Sequence, residues 1–444
     1  MGKLFGTDGV RGKANEGLTA EMAYQLGRAG AGVLTSVNKR PKILVGKDTR
    51  ISGDMLEAAL IAGICSVGAD AIPVGVIPTP AIAYLTKTSG VDAGVVISAS
   101  HNHFGDNGIK FFSSSGYKLS DESEAEIEDI VLNGKELVEP LDGSVGRVLQ
   151  LENAAERYMQ TLINAADEDL SGISVVLDCA NGAASVIAPE VFEKLGATVH
   201  AIYNTPNGTN INNGCGSTHI SALQAAVKEH GGVGFAFDGD ADRMIAVDEN
   251  GDIVDGDNVL AICAEIMLSE GKLKNNTVVG TIYSNLGLEE FLSERNSQLI
   301  RTKVGDRYVL EKMLAEGYSI GGEASGHLIF LDTSTTGDGT LAAIKVACAM
   351  KKRGKRLCEL RSLLKQYPMT MLNVRINQKC SITDFPAVTE AMEHVTVKLG
   401  KEGRIVLRAS GTEPLIRIMA EGKDEALVNE CAAYLEKAIV EHMV

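Results

Sequence analysis

Ser98-Ala99-Ser100-His101-Asn102 follows the apolar run Ala93-Gly94-Val95-Val96-Ile97. A Val/Ile run of that length ending in small polar residues predicts a buried strand feeding a loop. Open α/β sheets place their chemistry on loops at the carboxyl ends of such strands. Ser100, beside His101, can act there as a nucleophile or a phosphoryl carrier; taken alone, the segment also reads as a Ser-rich turn or helix cap. Far downstream, Asp238-Gly239-Asp240-Ala241-Asp242-Arg243 lies between the apolar runs Val233–Phe237 and Met244–Val247. Three carboxylates at alternate positions repel and raise one another's pKa. A hard divalent cation resolves that repulsion, and an all-oxygen ligand set suits magnesium. The bland alternative is a solvated acidic turn. A calcium loop is the sharper rival, because Asp238, Asp240, Asp242 and Glu249 have its ligand spacing. It is rejected: Arg243 stands where that loop needs glycine, and the flanks read as strands.

Two further loops carry chemistry. Gly321-Gly322-Glu323-Ala324-Ser325-Gly326-His327 offers a carboxylate, a hydroxyl and an imidazole between glycines that let backbone approach a ligand. Such a set suits sugar hydroxyls. Arg408-Ala409-Ser410-Gly411-Thr412-Glu413-Pro414 with Arg417 combines two arginines, two hydroxyls and free backbone N–H groups, the inventory of a phosphate cradle. A serine, a cation site, a sugar loop and a phosphate cradle together point to phosphoryl transfer on a sugar phosphate. Neither a Walker loop nor a convincing dinucleotide fingerprint is present, so the phosphoryl group must come from the protein or the substrate.

Composition bounds these readings. The 444 residues suggest roughly three domains, with two or four tolerable, and 45% hydrophobic content is ample for several cores. A formal net charge of −16 argues against nucleic acid or an anionic membrane as the main partner. An anionic small substrate then requires locally clustered cations. The N-terminus lacks an apolar signal core, and no apolar stretch is long enough to span a bilayer. The eight cysteines are scattered without close pairs, which reads as reduced buried thiols in a cytoplasmic protein; Cys215, in a Gly/Asn-rich loop, is expected to be the most exposed.

The elements that must position these loops recur along the chain. A Val/Ile run, a polar Gly-rich loop and an Ala/Leu/Glu-rich helical stretch follow one another at Ile43–Arg50, Val175–Gly182 and Val278–Asn285, which implies an α/β protein with mostly parallel sheets. Seams are expected near 133–144, 254–257 and 367–369. The last 75 or so residues read as a smaller α+β unit, with strands at Met371–Ile376 and Arg404–Arg408 and a terminal helix from about Asp424.

With Phe5-Gly6-Thr7-Asp8-Gly9-Val10-Arg11-Gly12 added to the four loops, the chain resembles the bacterial phosphoglucosamine mutases of the α-D-phosphohexomutase superfamily over essentially its whole length. The resemblance implies three related mixed-sheet α/β domains (1–150, 151–254 and 255–367) and a smaller C-terminal α+β domain (368–444) around a central cleft, each giving one loop. It implies that Ser100 is the phosphoserine and that its phosphate, with Asp238, Asp240 and Asp242, binds Mg2+. Glu323, Ser325 and His327 would face the sugar. Arg408, Ser410, Gly411, Thr412 and Arg417 would grip the non-reacting phosphate. Arg11, Lys110, Arg243 and Lys303 match basic positions lining the cleft, with His101 beside the serine. A base must take the proton of the attacking hydroxyl, and Lys110 and His327 are both candidates. The implied reaction interconverts glucosamine 6-phosphate and glucosamine 1-phosphate through glucosamine 1,6-bisphosphate, a step toward UDP-N-acetylglucosamine and peptidoglycan precursors. Ala324 stands where relatives often carry a larger residue, which leaves sugar selectivity open. A glucose or mannose phosphate mutase, a metal-dependent sugar phosphatase and a non-catalytic sensor remain as alternatives, although the intact serine, aspartates and cradle argue against the sensor. Monomer and homodimer are equally compatible with the sequence.

Overall fold

The computed structural model describes residues 4–6, 8–34, 40–135, 137, 139–378, 380–409 and 414–444. It contains four sheets. In the first, six strands lie in the order Phe5–Gly6, Gly9–Lys13, Asp106–Ser113, Ala93–Ile97, Lys42–Lys47, Asp70–Val76. The run read as a buried strand is the strand Ala93–Ile97, and all five residues are buried because both neighbours and both faces are covered. The second sheet runs Ile253–Val254, Met244–Val247, Val233–Phe237, Ser174–Asp178, Thr198–Ile202, and the third Gln298–Thr302, Thr277–Thr281, Ile320–Gly322, Leu328–Phe330. The last is an antiparallel sheet in the order Met369–Arg375, Leu415–Gly422, Gly403–Ala409, with two helices, Pro386–Leu399 and Glu425–Met443, packed on it. Asp424 caps the terminal helix, accepting from the N–H groups of Ala426 and Leu427 at 2.9 and 3.1 Å.

Parallel pairing is confined to one side of each of the first three sheets, out to the edge strands Asp70–Val76, Thr198–Ile202 and Gln298–Thr302. Each of their site loops joins antiparallel strands instead: Ala93–Ile97 to Asp106–Ser113, Val233–Phe237 to Met244–Val247, and Ile320–Gly322 to Leu328–Phe330. Connections this short cannot carry a crossover helix, so the strand must reverse. Each reversal leaves its loop at the strand end.

One hydrophobic cluster runs through the first three sheets, from Leu44 and Val96 through Leu177 and Phe235 to Val278 and Leu328. The C-terminal unit has a separate core around Val388, Ile416 and Leu435. Its junction with the rest is polar: Arg404 donates to the carbonyls of Ile282 and Ser284 at 2.8 and 2.6 Å, and the buried Glu421 accepts from Leu286 N–H at 2.8 Å. Among the described residues no helix is long and apolar enough to cross a membrane.

Cys215 is fully buried, against the exposure expected of its loop. Gly216 N–H donates to Asp178 Oδ2 and Ser217 N–H to the Phe237 carbonyl, both at 2.8 Å, which turns the loop inward over the strand ends. Burial pushes its thiol up to about 12, so it is inert at neutral pH.

Candidate active site

Ser100 sits at the end of the Ala93–Ile97 strand with φ at +53°, a left-handed conformation that non-glycine residues adopt only when their surroundings enforce it. It is 1% exposed. Its Oγ donates to Asp238 Oδ2 at 2.6 Å, although the two residues are 138 positions apart, and lies 3.2 Å from His101 Nδ1. Burial, with the positive charges of Arg243 and Arg11, pushes His101 down to about 4, so the imidazole is neutral at physiological pH.

The acidic segment is the reversal between Val233–Phe237 and Met244–Val247, so the aspartates come from the turn of a buried hairpin rather than from a solvated surface. Asp238, Asp240 and Asp242 each place an oxygen within 4.8 Å of the others. Asp240 Oδ2 accepts from Thr79 Oγ1 at 2.6 Å and Lys110 Nζ at 2.9 Å, whereas Asp240 Oδ1 and Asp242 Oδ1 are buried with no hydrogen-bond partner among the described residues. Orphaned carboxylate oxygens converging in a dry site fit an oxygen-seeking divalent cation. Burial and repulsion from Asp242 and Asp240 push Asp238 well above the usual carboxylate range. Burial would raise Asp242 too, but Lys110, His327 and Arg243 outweigh it and hold Asp242 well below that range. Gly239 is required here: a Cβ would lie 2.6 Å from the Ser100 carbonyl oxygen, so any side chain would drive the two loops apart.

The sugar-type loop docks on the metal loop by backbone. Arg243 and His327 form an isolated antiparallel bridge, and Met244 N–H donates to the Gly326 carbonyl at 3.0 Å. His327 is buried beneath this bridge, not displayed at the loop surface. Its Nε2 accepts from Gly337 N–H at 3.2 Å and lies 3.4 Å from Asp306 Oδ2, and its Nδ1 faces Asp242 Oδ2 at 3.6 Å. Glu323 Oε1 accepts from Gly305 N–H at 3.0 Å, and Ser325 is exposed. Lys303 is exposed as well, its ammonium 5.7 Å from the Tyr308 ring centre, and does not join the Ser100 cluster.

Lys110 lies at the floor of the cleft, 2.9 Å from Asp240, 3.0 Å from Asp8 and 3.8 Å from Asp242. Burial would lower its pKa, but these three carboxylates outweigh burial and hold the ammonium charged well above its ordinary range. Asp8 also pairs with Arg11 and with Lys118 at 2.7 Å, and Lys118 reaches Asp306 at 2.5 Å. This chain of partly buried ion pairs joins the first sheet's loops to the third's. Sequence reasoning assigned no role to Asp8, Lys118 or Asp306, because a lone charge in a polar segment carries no sign of its distant partner.

On the C-terminal sheet Arg408 and Arg417 are directly opposed across neighbouring strands. Like charges in that position destabilise a sheet unless an anion joins them. Among the described residues Arg417 Nε, Arg11 Nε and Arg243 Nε are buried without a hydrogen-bond partner. Ser410, Gly411 and Thr412, expected in the cradle, lie outside the described residues.

Four family models cover most of the chain. They describe phosphoglucomutase/phosphomannomutase alpha/beta/alpha domain I at residues 2–138, domain II at 156–251, domain III at 255–367 and the C-terminal domain at 371–438. The chain belongs to the phosphoglucomutase/phosphomannomutase family. Within that family it is 54% identical to the phosphoglucosamine mutase of Syntrophomonas wolfei, over 99% of both chains. Its fold matches a phosphoglucomutase/phosphomannomutase family protein of Burkholderia thailandensis, at 22% identity and a TM-score of 0.83 over 98% of this chain and 97% of that one. It also matches Aspergillus fumigatus N-acetylphosphoglucosamine mutase solved with GlcNAc-6P and magnesium, at 18% identity and a TM-score of 0.66 over 91% and 83%.

Proposed function

We propose that this chain acts as a phosphoglucosamine mutase, an isomerase that interconverts glucosamine 6-phosphate and glucosamine 1-phosphate through a phosphoserine at Ser100 and a glucosamine 1,6-bisphosphate intermediate. The observation that carries the reading is Ser100 Oγ held 2.6 Å from a buried aspartate triad by a left-handed backbone. Full-length similarity to the Syntrophomonas enzyme supports the amino-sugar substrate.

Asp238, Asp240 and Asp242, with an oxygen of the serine phosphate, would hold Mg2+, which when bound neutralises charge on the transferring group. A sugar hydroxyl oxygen bonds to the phosphorus as the bond from phosphorus to Ser100 Oγ breaks, and the hydroxyl proton passes to a base. His327 is boxed in by Gly337, Asp242 and Asp306, which suits orientation of the loop; Lys110, held charged by Asp240, Asp8 and Asp242, would serve as the base only after shedding its own proton, which a cation drawing Asp240 and Asp242 away would favour. Arg243 and Arg11 bring guanidinium groups to the developing charge. The bisphosphate then turns, and its other phosphoryl group returns to Ser100 Oγ by the reverse step. The division into units at 150/151, 254/255 and 367/368 belongs to the same proposal and is supported by one sheet per segment. Glu323 would offset the 2-ammonium group of the sugar when water is excluded.

The test is kcat/KM for glucosamine 1-phosphate against glucose 1-phosphate and mannose 1-phosphate, each primed with its bisphosphate. The amino sugar is expected to win, with reduced cross-activity on the others; a preference for either neutral sugar assigns the chain to that branch. Accumulation of inorganic phosphate in place of the isomer would make it a phosphatase.

The opposed arginines give a second expectation. Arg408→Ala removes one side of the clamp on the distal phosphate and should raise apparent KM at least about tenfold, since a charge-assisted pair of hydrogen bonds is worth about 1.5–3 kcal/mol. It should lower kcat as well, because remote binding positions the reacting end. Unchanged affinity for the bisphosphate would remove Arg408 from the cradle.

A further inference from the structure

We propose that Arg50 and Asn212 are positioning residues that fix Ser100 from two sides, and that phosphoryl transfer depends on this clasp although neither side chain touches the substrate. The inference rests on Ser100 being the phosphoryl carrier.

Arg50 lies just beyond the strand Lys42–Lys47, and its side chain is completely buried. Every N–H of its guanidinium is used. Nε donates to Asp48 Oδ2 at 2.9 Å. Nη1 donates to the carbonyls of His103 and Asp106 at 2.6 and 3.1 Å, and Nη2 to those of Ser100 and Asn102 at 3.0 and 2.9 Å. A buried guanidinium is costly unless all its donors are satisfied. Here one side chain is satisfied almost wholly by the backbone of a single loop, so the loop's path is dictated by the fork geometry of the group inside it.

Asn212 approaches from the second sheet's side. Its Nδ2 donates to the same two carbonyls, Ser100 at 2.8 Å and Asn102 at 3.0 Å. The Ser100 carbonyl is thus claimed by Arg50 and Asn212 at once. The other peptide group of Ser100 is traced to the same anchor: Ser100 N–H donates to Ser98 Oγ at 2.9 Å, and that hydroxyl donates to Asp48 Oδ2 at 2.6 Å. Two flanking bonds stitch the segment across the boundary, Thr49 Oγ1 to the Asn181 carbonyl at 2.6 Å and Ile51 N–H to the Gly208 carbonyl at 2.9 Å. Together these contacts over-determine a backbone conformation that a serine does not hold by itself.

A mutase of this kind presents the same serine to two different phosphate positions of a turning sugar. The substrate changes orientation, so the serine must be the fixed point, and alignment of attacking oxygen, phosphorus and leaving oxygen depends on it. A shift of about 1 Å in such a group can cost about 10²-fold.

The experiment compares wild type with Asn212→Ala and Arg50→Lys, each purified without phosphate on Ser100. Intact mass follows single-turnover transfer of a phosphoryl group from glucosamine 1,6-bisphosphate, alongside steady-state kcat and KM and a thermal unfolding scan. Asn212→Ala should fold, keep KM within about twofold, and slow both transfer and kcat by about 10²-fold. Arg50→Lys should do the same or worse, because a lysine cannot span the carbonyls. Wild-type transfer rates in a folded Asn212→Ala variant overturn the inference, as does a rise in KM with kcat unchanged. Absence of transfer to Ser100 in wild type overturns the phosphoserine reading instead.

Discussion

Ser100→Ala should fold as wild type does and lose turnover by at least about 10⁴-fold, because the group that carries the phosphoryl moiety is gone and the reaction falls back toward its uncatalysed rate. The fold is expected to survive. The hydroxyl has two partners, Asp238 at 2.6 Å and His101 Nδ1 at 3.2 Å, and a lost hydrogen bond of this kind costs about 1–3 kcal/mol against a core that runs continuously through three sheets. The backbone clasp on the loop engages the Ser100 carbonyl and N–H, which alanine retains. Steady-state assay with both isomers, together with a thermal scan, checks both halves. Turnover near wild type in the variant would refute the phosphoserine route.

Conversion of any one of Asp238, Asp240 and Asp242 to Asn should cut turnover at least about 10²-fold at a magnesium concentration that saturates wild type; loss of mere outer-shell partners of a metal already costs about 10–100-fold. Chelation should abolish activity and added Mg2+ restore it. Full activity in a chelated sample would remove the metal from the reading. A pH dependence follows with a definite sign. In the metal-free protein Asp238 is held well above the usual carboxylate range, so the folded state retains its proton where the unfolded chain has lost it. That contribution to stability is complete below the unfolded carboxylate pKa and is lost as pH rises through the raised folded value. Asp238→Asn, which does not titrate, should therefore gain thermal stability over metal-free wild type as pH rises. Metal binding must expel the same proton, so apparent affinity should fall as pH is lowered. Titration of the metal at several pH values, read by unfolding temperature, checks both signs.

Ser100, the three aspartates, the loop at Glu323–His327 and the arginine pair were all legible in the sequence, for a local reason. All but Arg417, which lies within Leu415–Gly422, stand at or just beyond the end of an apolar β run, and hydrophobic patterning reports strand ends without knowledge of strand partners. The terminal helix and two of the last unit's three strands were legible for the same reason, to within a residue or two, whereas the central strand Leu415–Gly422 was not. Patterning does not say whether the chain reverses or crosses over after a strand, because that depends on loop length and on which neighbour has a free edge. Hence antiparallel reversals stand where mostly parallel sheets were expected. Burial of Cys215 was hidden likewise: a Gly/Asn-rich loop looks solvated until Asp178 and the Phe237 carbonyl draw it inward.

Only tertiary structure decided which charges meet. Lys110 carries nothing locally to mark it as the partner of Asp240, 130 residues away, and Lys118 nothing to join it to Asp306 at a separation of 188. Charge type is a property of one residue, whereas ion pairing and desolvation belong to the assembled cleft, where burial forces each charge to find an opposite one. Arg50 makes the point most sharply. It stood in view in a strand-end loop with nothing local to mark it, and the fold turned it inward as the internal scaffold of the serine loop.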